Sequence, residues 1–352
     1  MRPIHKNNRQ DGFSMIELMI SMATMTIITG AAFALIGSSI KFASATYHMT
    51  DAEQGLRTAH EIIHRDLTTA GDGLKGIGSI QVPIGFIQNY LTTTPVVDVA
   101  SPNYPNLGLL TSDDRVPANT SVLQANPATN VLALSDRLTM LTQDYTTFTP
   151  VPLLAGRITI AGSNTTIQVT AVEIGRFQVG EIYAIATQSS AAFGVISSID
   201  TSTNRIAMSN GDVYGLNHTG TGSINAISAG GANATSIVRL LIIHYYVNSN
   251  NLLIRRVFGA PGSGFVDSII AEHVTGMQFR YLMKLTNPNG FVPQPTAQVT
   301  DPTAVREVET TIGVETLGAI NAVSANNNGR QTISATTSTT VRNLQFRKAL
   351  SP

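Results

Sequence analysis

The stretch Gly12-Phe13-Ser14-Met15-Ile16-Glu17 opens an apolar run, FSMIELMISMATMTIITGAAFALIGSSI, that extends from Phe13 to Ile40 with Glu17 as its one charged side chain. As a helix rising roughly 1.5 Å per residue it would be about 42 Å long, more than a bilayer core of about 30 Å. Arg2, Lys6 and Arg9 precede it, and Asp11 is the one acid ahead of it. Basic residues before the run and a near-neutral stretch after it predict a cytoplasmic N-terminus. A lone carboxylate near the start of a span costs roughly 2.5–3.5 kcal/mol at mid-bilayer and by default marks function.

Two plain readings of this run leave something over. A secretory signal cut at Ala32-Phe33-Ala34 would release a chain starting at Leu35. Its apolar region would then exceed about 15 residues and hold a carboxylate, both against type. A simple membrane anchor gives Glu17 nothing to do.

Gly12-Phe13-Ser14-Met15-Ile16-Glu17 resembles the leader-cleavage motif of type IV prepilins and the related pseudopilins. The resemblance implies a prepilin peptidase that cuts between Gly12 and Phe13, N-methylation of Phe13, and an assembly role for Glu17, which is fifth counting from Phe13. In an assembled fibre the Glu17 carboxylate would meet the N-terminal amine of a neighbouring subunit, since a buried charge requires a partner. Asp11 departs from the pattern, where Lys or Arg commonly precedes the glycine, and is expected to slow cleavage without abolishing it.

The helix is predicted to continue to about Ala70. Ala52, Leu56, Ala59, Ile63, Leu67 and Ala70 recur at spacings of three and four as one apolar stripe. Asp51, Glu53, Arg57, Glu61, Arg65 and Asp66 form the expected polar side, and Gly71-Asp72-Gly73 the stop. Gly30 and Gly37 weaken the middle by about 1 kcal/mol each relative to Ala.

His60-Glu61-Ile62-Ile63-His64 matches H-E-x-x-H, the zinc-protease pattern in which two His on one helix face bind metal and the Glu activates water. The next requirement fails. Leu67 stands where metzincins carry Gly, and no Glu lies between Glu61 and Glu173 as a third ligand. The segment is expected to be a solvated flank of the helix, and no metal, cofactor or catalytic residue is assigned.

The rest of the chain predicts an α+β fold, with the long helix followed by a predominantly antiparallel β head. Residues 74–130 are rich in loop formers, and Asp113-Asp114 lacks EF-hand spacing. Strands are expected at Val131–Leu141, Arg157–Ile160, Thr166–Glu173, Glu181–Thr187, Gly194–Ile199 and Arg205–Ser209, forming a small inserted barrel or sandwich. Ile237–Asn248 and Leu252–Phe258 read as a hairpin turning at Asn248-Ser249-Asn250-Asn251. Ile269–Leu282 reads as a helix-like or bent lead-in to a strand, and Val305–Val314 and Thr339–Phe346 complete one sheet. His244 is expected to be packed, and Arg255-Arg256 exposed. The divisions are a leader at 1–12, pilin helix at 13–72 with its membrane half at 13–40, loop-rich head at 73–130, insertion at 131–236 and C-terminal sheet at 237–352.

YYVNSNNLLIRRV, VTGMQFRYL, VREVETTIGVE and TTVRNLQF extend the likeness toward PilW/PulJ-type minor pilins. That resemblance implies a structural subunit, not an enzyme, that helps initiate or cap a type IV pilus. It also implies an inner-membrane protein with a periplasmic head, joined through its helix to other minor and major pilins and carried to the cell surface. A type II secretion pseudopilin has the same architecture and stays open as an alternative. A secreted H-E-x-x-H protease is the rival from another class.

Composition agrees with a structural role. Charged residues are 12% of the chain, and Lys+Arg and Asp+Glu balance at 22 each, so no basic field for nucleic acid is present. Cys is absent, which excludes disulfides and thiolate sites. No phosphate-binding loop or Ser-nucleophile elbow occurs. Asn119, Asn164, Asn217 and Asn233 sit in weak N-x-S/T glycosylation triplets.

Overall fold

The computed structural model describes residues 12–74, 79–91, 105–113, 135–144, 150–152, 157–187, 191–220, 222–226, 234–260, 264–284, 294–296, 299, 302–318 and 330–344. The chain divides into two units, residues 1–51 with 317–331 and residues 52–316 with 332–352.

Helix α1 covers Met15–Thr69. Gly30 and Gly37 lie inside it without a break, and nothing approaches the position of a Cβ at either. Its end follows from the glycines. Gly71 takes φ +74° and Gly73 φ +68°, a region that strains other residues. The Gly71 N–H then donates to Leu141 O at 2.7 Å, turning the chain into the first sheet.

The strands follow in chain order. β1 (Ser79–Gln81), β2 (Asn106–Gly108), β3 (Leu110–Asp113), β4 (Arg137–Gln143) and β5 (Val151–Pro152) come first. Then come β6 (Ile158–Ala161), β7 (Asn164–Gln168), β8 (Ile182–Thr187), β9 (Ala191–Val195), β10 (Ser198–Asp200) and β11 (Arg205–Ser209). Last are β12 (Ala234–Val247), β13 (Leu253–Ala260), β14 (Gly264–Ala271), β15 (Val274–Met283), β16 (Gln294–Thr296), β17 (Val305–Glu315) and β18 (Thr332–Thr340). All the strand pairs described are antiparallel, so the α+β reading holds.

The largest sheet runs β14-β13-β12-β4-β3. β12 is its axis. The 240–247 portion pairs with β4 and β13, while the 234–239 portion pairs with β5 and β8. A separate sheet runs β16-β15-β17-β18, and a third runs β10-β11-β7-β6.

Among the described residues two large apolar cores result, beside a small cluster of Tyr246 and Ile254. The larger gathers Leu56, Ala59, Ile63 and Leu67 of α1 with Leu138, Met140, Ile243 and Tyr245 of the first sheet and Met277, Phe279, Val308 and Ile312 of the second. The helix stripe is thus buried as the spacing predicts. The smaller core joins Ile167, Phe177, Tyr183, Ile185, Ile206, Met208 and Ile237.

Several sequence expectations need correction. The C-terminal strands form two sheets, because β12–β13 continues to β14 while β15 pairs with β16 and β17. Ile269–Leu282 is not helix-like; it is the end of β14, a turn with His273 at φ +55°, and most of β15. The last strand is β18, and Thr339 and Thr340 are its end; 342–344 are helical and Phe346 lies outside the described residues. The Thr166–Glu173 strand stops at Gln168 and becomes a turn with a 3-10 helix at Ile174–Arg176. Gly194–Ile199 is split between β9 and β10. The 131–236 stretch is not a self-contained insertion, because β4 belongs to the largest sheet and β8 pairs with β12. Residues 131–134 of the Val131–Leu141 expectation, and Asp114, lie outside the described residues.

Candidate processing and assembly site

Gly12 and Phe13 precede the first helical turn and are not helical. Ser14 starts the helix, since its carbonyl accepts from Glu17 N at 3.0 Å and Leu18 N at 3.2 Å, and its hydroxyl accepts from Ile16 N at 3.4 Å. The Gly12–Phe13 bond is therefore in irregular chain one step before the helix begins. Gly12 has open space around it and Phe13 is 82% exposed. Glu17 lies in the first turn, where the helix dipole favours a carboxylate, and it makes no ion pair among the described residues.

From Phe13 to Tyr47 the large apolar side chains are exposed on all sides of the helix, among them Ile16, Ile20, Ile27, Phe33, Leu35 and Phe42. A helix apolar all round belongs in a nonpolar surround. Several of its hydroxyls are satisfied from within. Thr24 donates to Ile20 O, Thr26 to Met22 O, and Ser38 and Ser39 to Leu35 O, at 2.8–2.9 Å. In lipid such back-bonding removes the cost of an unpaired hydroxyl. The segment is long and apolar enough to cross a bilayer.

The other residues singled out in the sequence take structural places. The solvated-flank expectation fails at His60 and holds at Glu61 and His64, which are exposed. His60 is buried, with Nδ1 2.7 Å from Thr337 Oγ1, and His64 Nδ1 lies 2.8 Å from Thr339 Oγ1. Four helix residues advance about 6.0 Å and two strand residues about 6.6 Å, so the two His–Thr pairs stay in step along α1 and β18. Glu61 points to solvent. Among the described residues no cluster of three or more His, Asp or Glu is placed to hold a metal.

Arg255 and Arg256 are not exposed. Arg255 Nε is 2.5 Å from Asp66 Oδ2, and that oxygen also accepts from Tyr245 Oη at 2.6 Å. Asp66 is thus a buried clamp and not part of the polar side of α1. Arg256 is 1% exposed, pairs with Asp267 at 2.5 Å and lies 4.4 Å from the Phe265 ring centroid. Sequence reasoning passed over this clamp because Asp66 sits beside the apolar stripe at a charge-tolerant position. It also passed over Arg239, which bridges Asp144 at 3.0 Å and Glu181 at 2.9 Å where β12 passes from one set of partners to the next. Asn217 is buried, with its amide on Val195 and Ser209, so its glycosylation triplet is inaccessible. Asn164 is exposed, and Asn119 and Asn233 lie outside the described residues.

His244 is packed, as expected, with Nδ1 2.9 Å from Thr139 Oγ1. Burial, aided by Arg137 and Arg256, holds its pKa well below the usual value, and burial lowers His218 to about 4. Histidines with depressed folded pKa values take up protons on unfolding. Their contribution is complete above an unfolded pKa of about 6.5 and is lost as pH falls below it. The urea midpoint is therefore expected to decline from about pH 6.5 to about pH 4. Replacing His218 with Asn should flatten that decline, and an unchanged slope contradicts the assignment.

The N-terminal arrangement is an exposed, apolar, single-acid helix that begins just after a Gly-Phe bond. The chain carries the prepilin-type motif: a family model described as the prokaryotic N-terminal methylation motif matches residues 7–33. Among solved structures, a type IV-like pilin from Thermus thermophilus is similar at 11% identity and a TM-score of 0.21, over 47% of this chain and 89% of that one. No curated protein matches the chain.

Proposed function

We propose that this chain is a minor pilin that helps initiate or cap type IV pilus assembly from the inner membrane. The observation that carries the reading is the first helical turn: an accessible Gly12–Phe13 bond followed by Glu17, which has no ion pair among the described residues. A prepilin peptidase cuts at that bond, Phe13 becomes the methylated N-terminus, and Glu17 receives the amine of a neighbouring subunit. The helix joins other minor and major pilins, and the β head faces the periplasm. The pilin-like class is structural, and no catalytic role is assigned to the head.

Intact-mass and N-terminal peptide spectrometry on protein from its native host tests the processing step. The expected mature chain starts at Phe13 and carries about 14 Da from one methyl group. A chain starting at Met1 or Leu35 overturns it. Deletion of the gene separates the machines, because loss of surface fibres supports the pilus and loss of protein secretion supports the pseudopilin alternative.

A further inference from the structure

β11 ends at Ser209, and the chain then turns through Asn210, Gly211 and Asp212 before it reaches the buried Tyr214. Both sides of this turn are fixed. On one side the Asn210 N–H donates to Ser163 O at 3.0 Å. On the other, the Asp212 carboxylate accepts from Asn217 N at 2.7 Å and from Tyr214 N and Leu216 N at 3.1 Å. Between these anchors lie two reactive groups that nothing holds. Asn210 and Gly211 are exposed. Among the described residues, neither the Asn210 carboxamide nor the Gly211 N–H makes a hydrogen bond.

Gly211 stands at φ +95°, and nothing lies within 4 Å of the position of a Cβ. With no side chain of its own, it leaves its nitrogen open to approach from the side chain before it. Other asparagines differ on one count or the other. Asn164 is exposed, but the branched side chain of Thr165 crowds the following nitrogen. The Asn217 carboxamide is held by Val195 and Ser209, and the Asn248 side-chain oxygen by Asn250 N and Leu252 N. Asn is among the thermolabile residues, and at Asn210 both partners of the labile step are free.

We propose that Asn210-Gly211 is a site of spontaneous covalent modification, at which the Gly211 nitrogen attacks the Asn210 side chain and expels its amide as ammonia. The Gly211 nitrogen loses its proton to water and bonds to Asn210 Cγ. The Cγ–Nδ2 bond breaks, the nitrogen leaves as ammonia with that proton, and a five-membered imide closes across the pair. Water then adds to one of the two imide carbonyl carbons. Breaking the bond from nitrogen to Cγ gives an aspartyl residue. Breaking the bond from nitrogen to the Asn210 backbone carbonyl carbon gives an isoaspartyl link, in which the main chain runs through Cβ and Cγ. One water is consumed and one ammonia released, with no oxidant or cofactor. Either product adds a negative charge two positions from Asp212, and the isoaspartyl link also lengthens the chain by one carbon. The Asp212 grip on Tyr214, Leu216 and Asn217 loosens, and with Asn217 the tie between β9 and β11 at Val195 and Ser209. The pair thus acts as an age mark at the border of the smaller core, independent of Glu17 and of cleavage after Gly12.

The test ages the full-length chain in detergent micelles, in mildly alkaline buffer made with heavy-oxygen water, and reads its peptides by mass spectrometry. Each event adds about 1 Da for the exchange of amide for acid and about 2 Da more for the heavy oxygen, which separates conversion during ageing from conversion before it. Fragmentation tells aspartyl from isoaspartyl products. The expected result is conversion at Asn210 ahead of Asn164, Asn217 and Asn248, at a rate within about tenfold of that in the urea-unfolded chain. Asn210→Gln, which needs a larger ring, should leave this peptide unchanged in mass with unchanged circular dichroism. In converted chains the Leu216 and Asn217 amides should exchange about tenfold faster. Conversion in the folded chain slower than that limit, or earlier conversion at one of the other three asparagines, overturns the proposal. Unchanged exchange at Leu216 and Asn217 overturns the coupling to Asp212.

Discussion

A Glu17→Leu chain is expected to be cut after Gly12 and held in the membrane, yet to be nearly absent from sheared surface fibres. In the first unit the helix is exposed on every side and Glu17 has no ion pair among the described residues, which fits a partner supplied by another subunit. On the reading proposed here that partner is the N-terminal amine of Phe13 in a neighbour. Removing one member of a buried ion pair leaves the other charge uncompensated, at about 3–5 kcal/mol. That corresponds to roughly a hundredfold to several thousandfold loss in the assembly equilibrium. Glu17→Asp keeps the charge with a shorter reach and should fall between. Quantitative mass spectrometry of sheared and membrane fractions gives the ratio directly, and an unchanged ratio for Glu17→Leu removes the assembly role.

The second large effect is expected inside the head. Asp66→Ala should destabilise it by about 3–5 kcal/mol, because Arg255 and Tyr245 lose a shared buried partner. The Asp66 side chain is 6% exposed and that of Arg255 is 19% exposed, so solvent replaces little of what is lost. Burial, with the nearby Asp66 charge, raises the Tyr245 pKa, so its hydroxyl stays a donor at neutral pH. Asp66→Asn keeps an oxygen for the Tyr245 hydroxyl and should cost less than the alanine. Urea unfolding followed by circular dichroism of the full-length chain in micelles measures both. A loss below about 1 kcal/mol for Asp66→Ala would mean that the clamp contributes no more than a surface pair.

Local patterns were legible because they rest on short-range chemistry. The apolar run from Phe13, the stripe Leu56–Ala59–Ile63–Leu67 and the Gly71 stop are properties of one helix. The β12–β13 hairpin was readable because Asn248–Asn251 supplies the turn, with Asn251 at φ +60°. The fate of charged residues on these elements was less legible. Asp66, Arg255 and Arg256 look solvent-bound in a linear reading, yet Asp66 and Arg256 are buried and Arg255 is half-buried; Arg255 meets Asp66 across 189 positions, while Arg256 meets Asp267 on the adjacent strand. The H-E-x-x-H match is accounted for in a related way, since the two histidines answer to threonines more than 270 positions later, with sequence separations of 277 and 275.

The sequence by itself determined the prepilin-type N-terminus, the continuous α1, the buried helix stripe and the antiparallel class of the head. Periodicity, hydropathy and turn residues act within a few positions of each other, so they survive without a fold. Tertiary structure alone decided that the C-terminal strands form two sheets and that β12 serves two sets of partners. It also decided that Asp66 is a clamp and that β18 takes the outer place beside β17. These are matters of which segments meet across hundreds of residues, where many pairings satisfy the same local pattern and only the packing of both cores selects one.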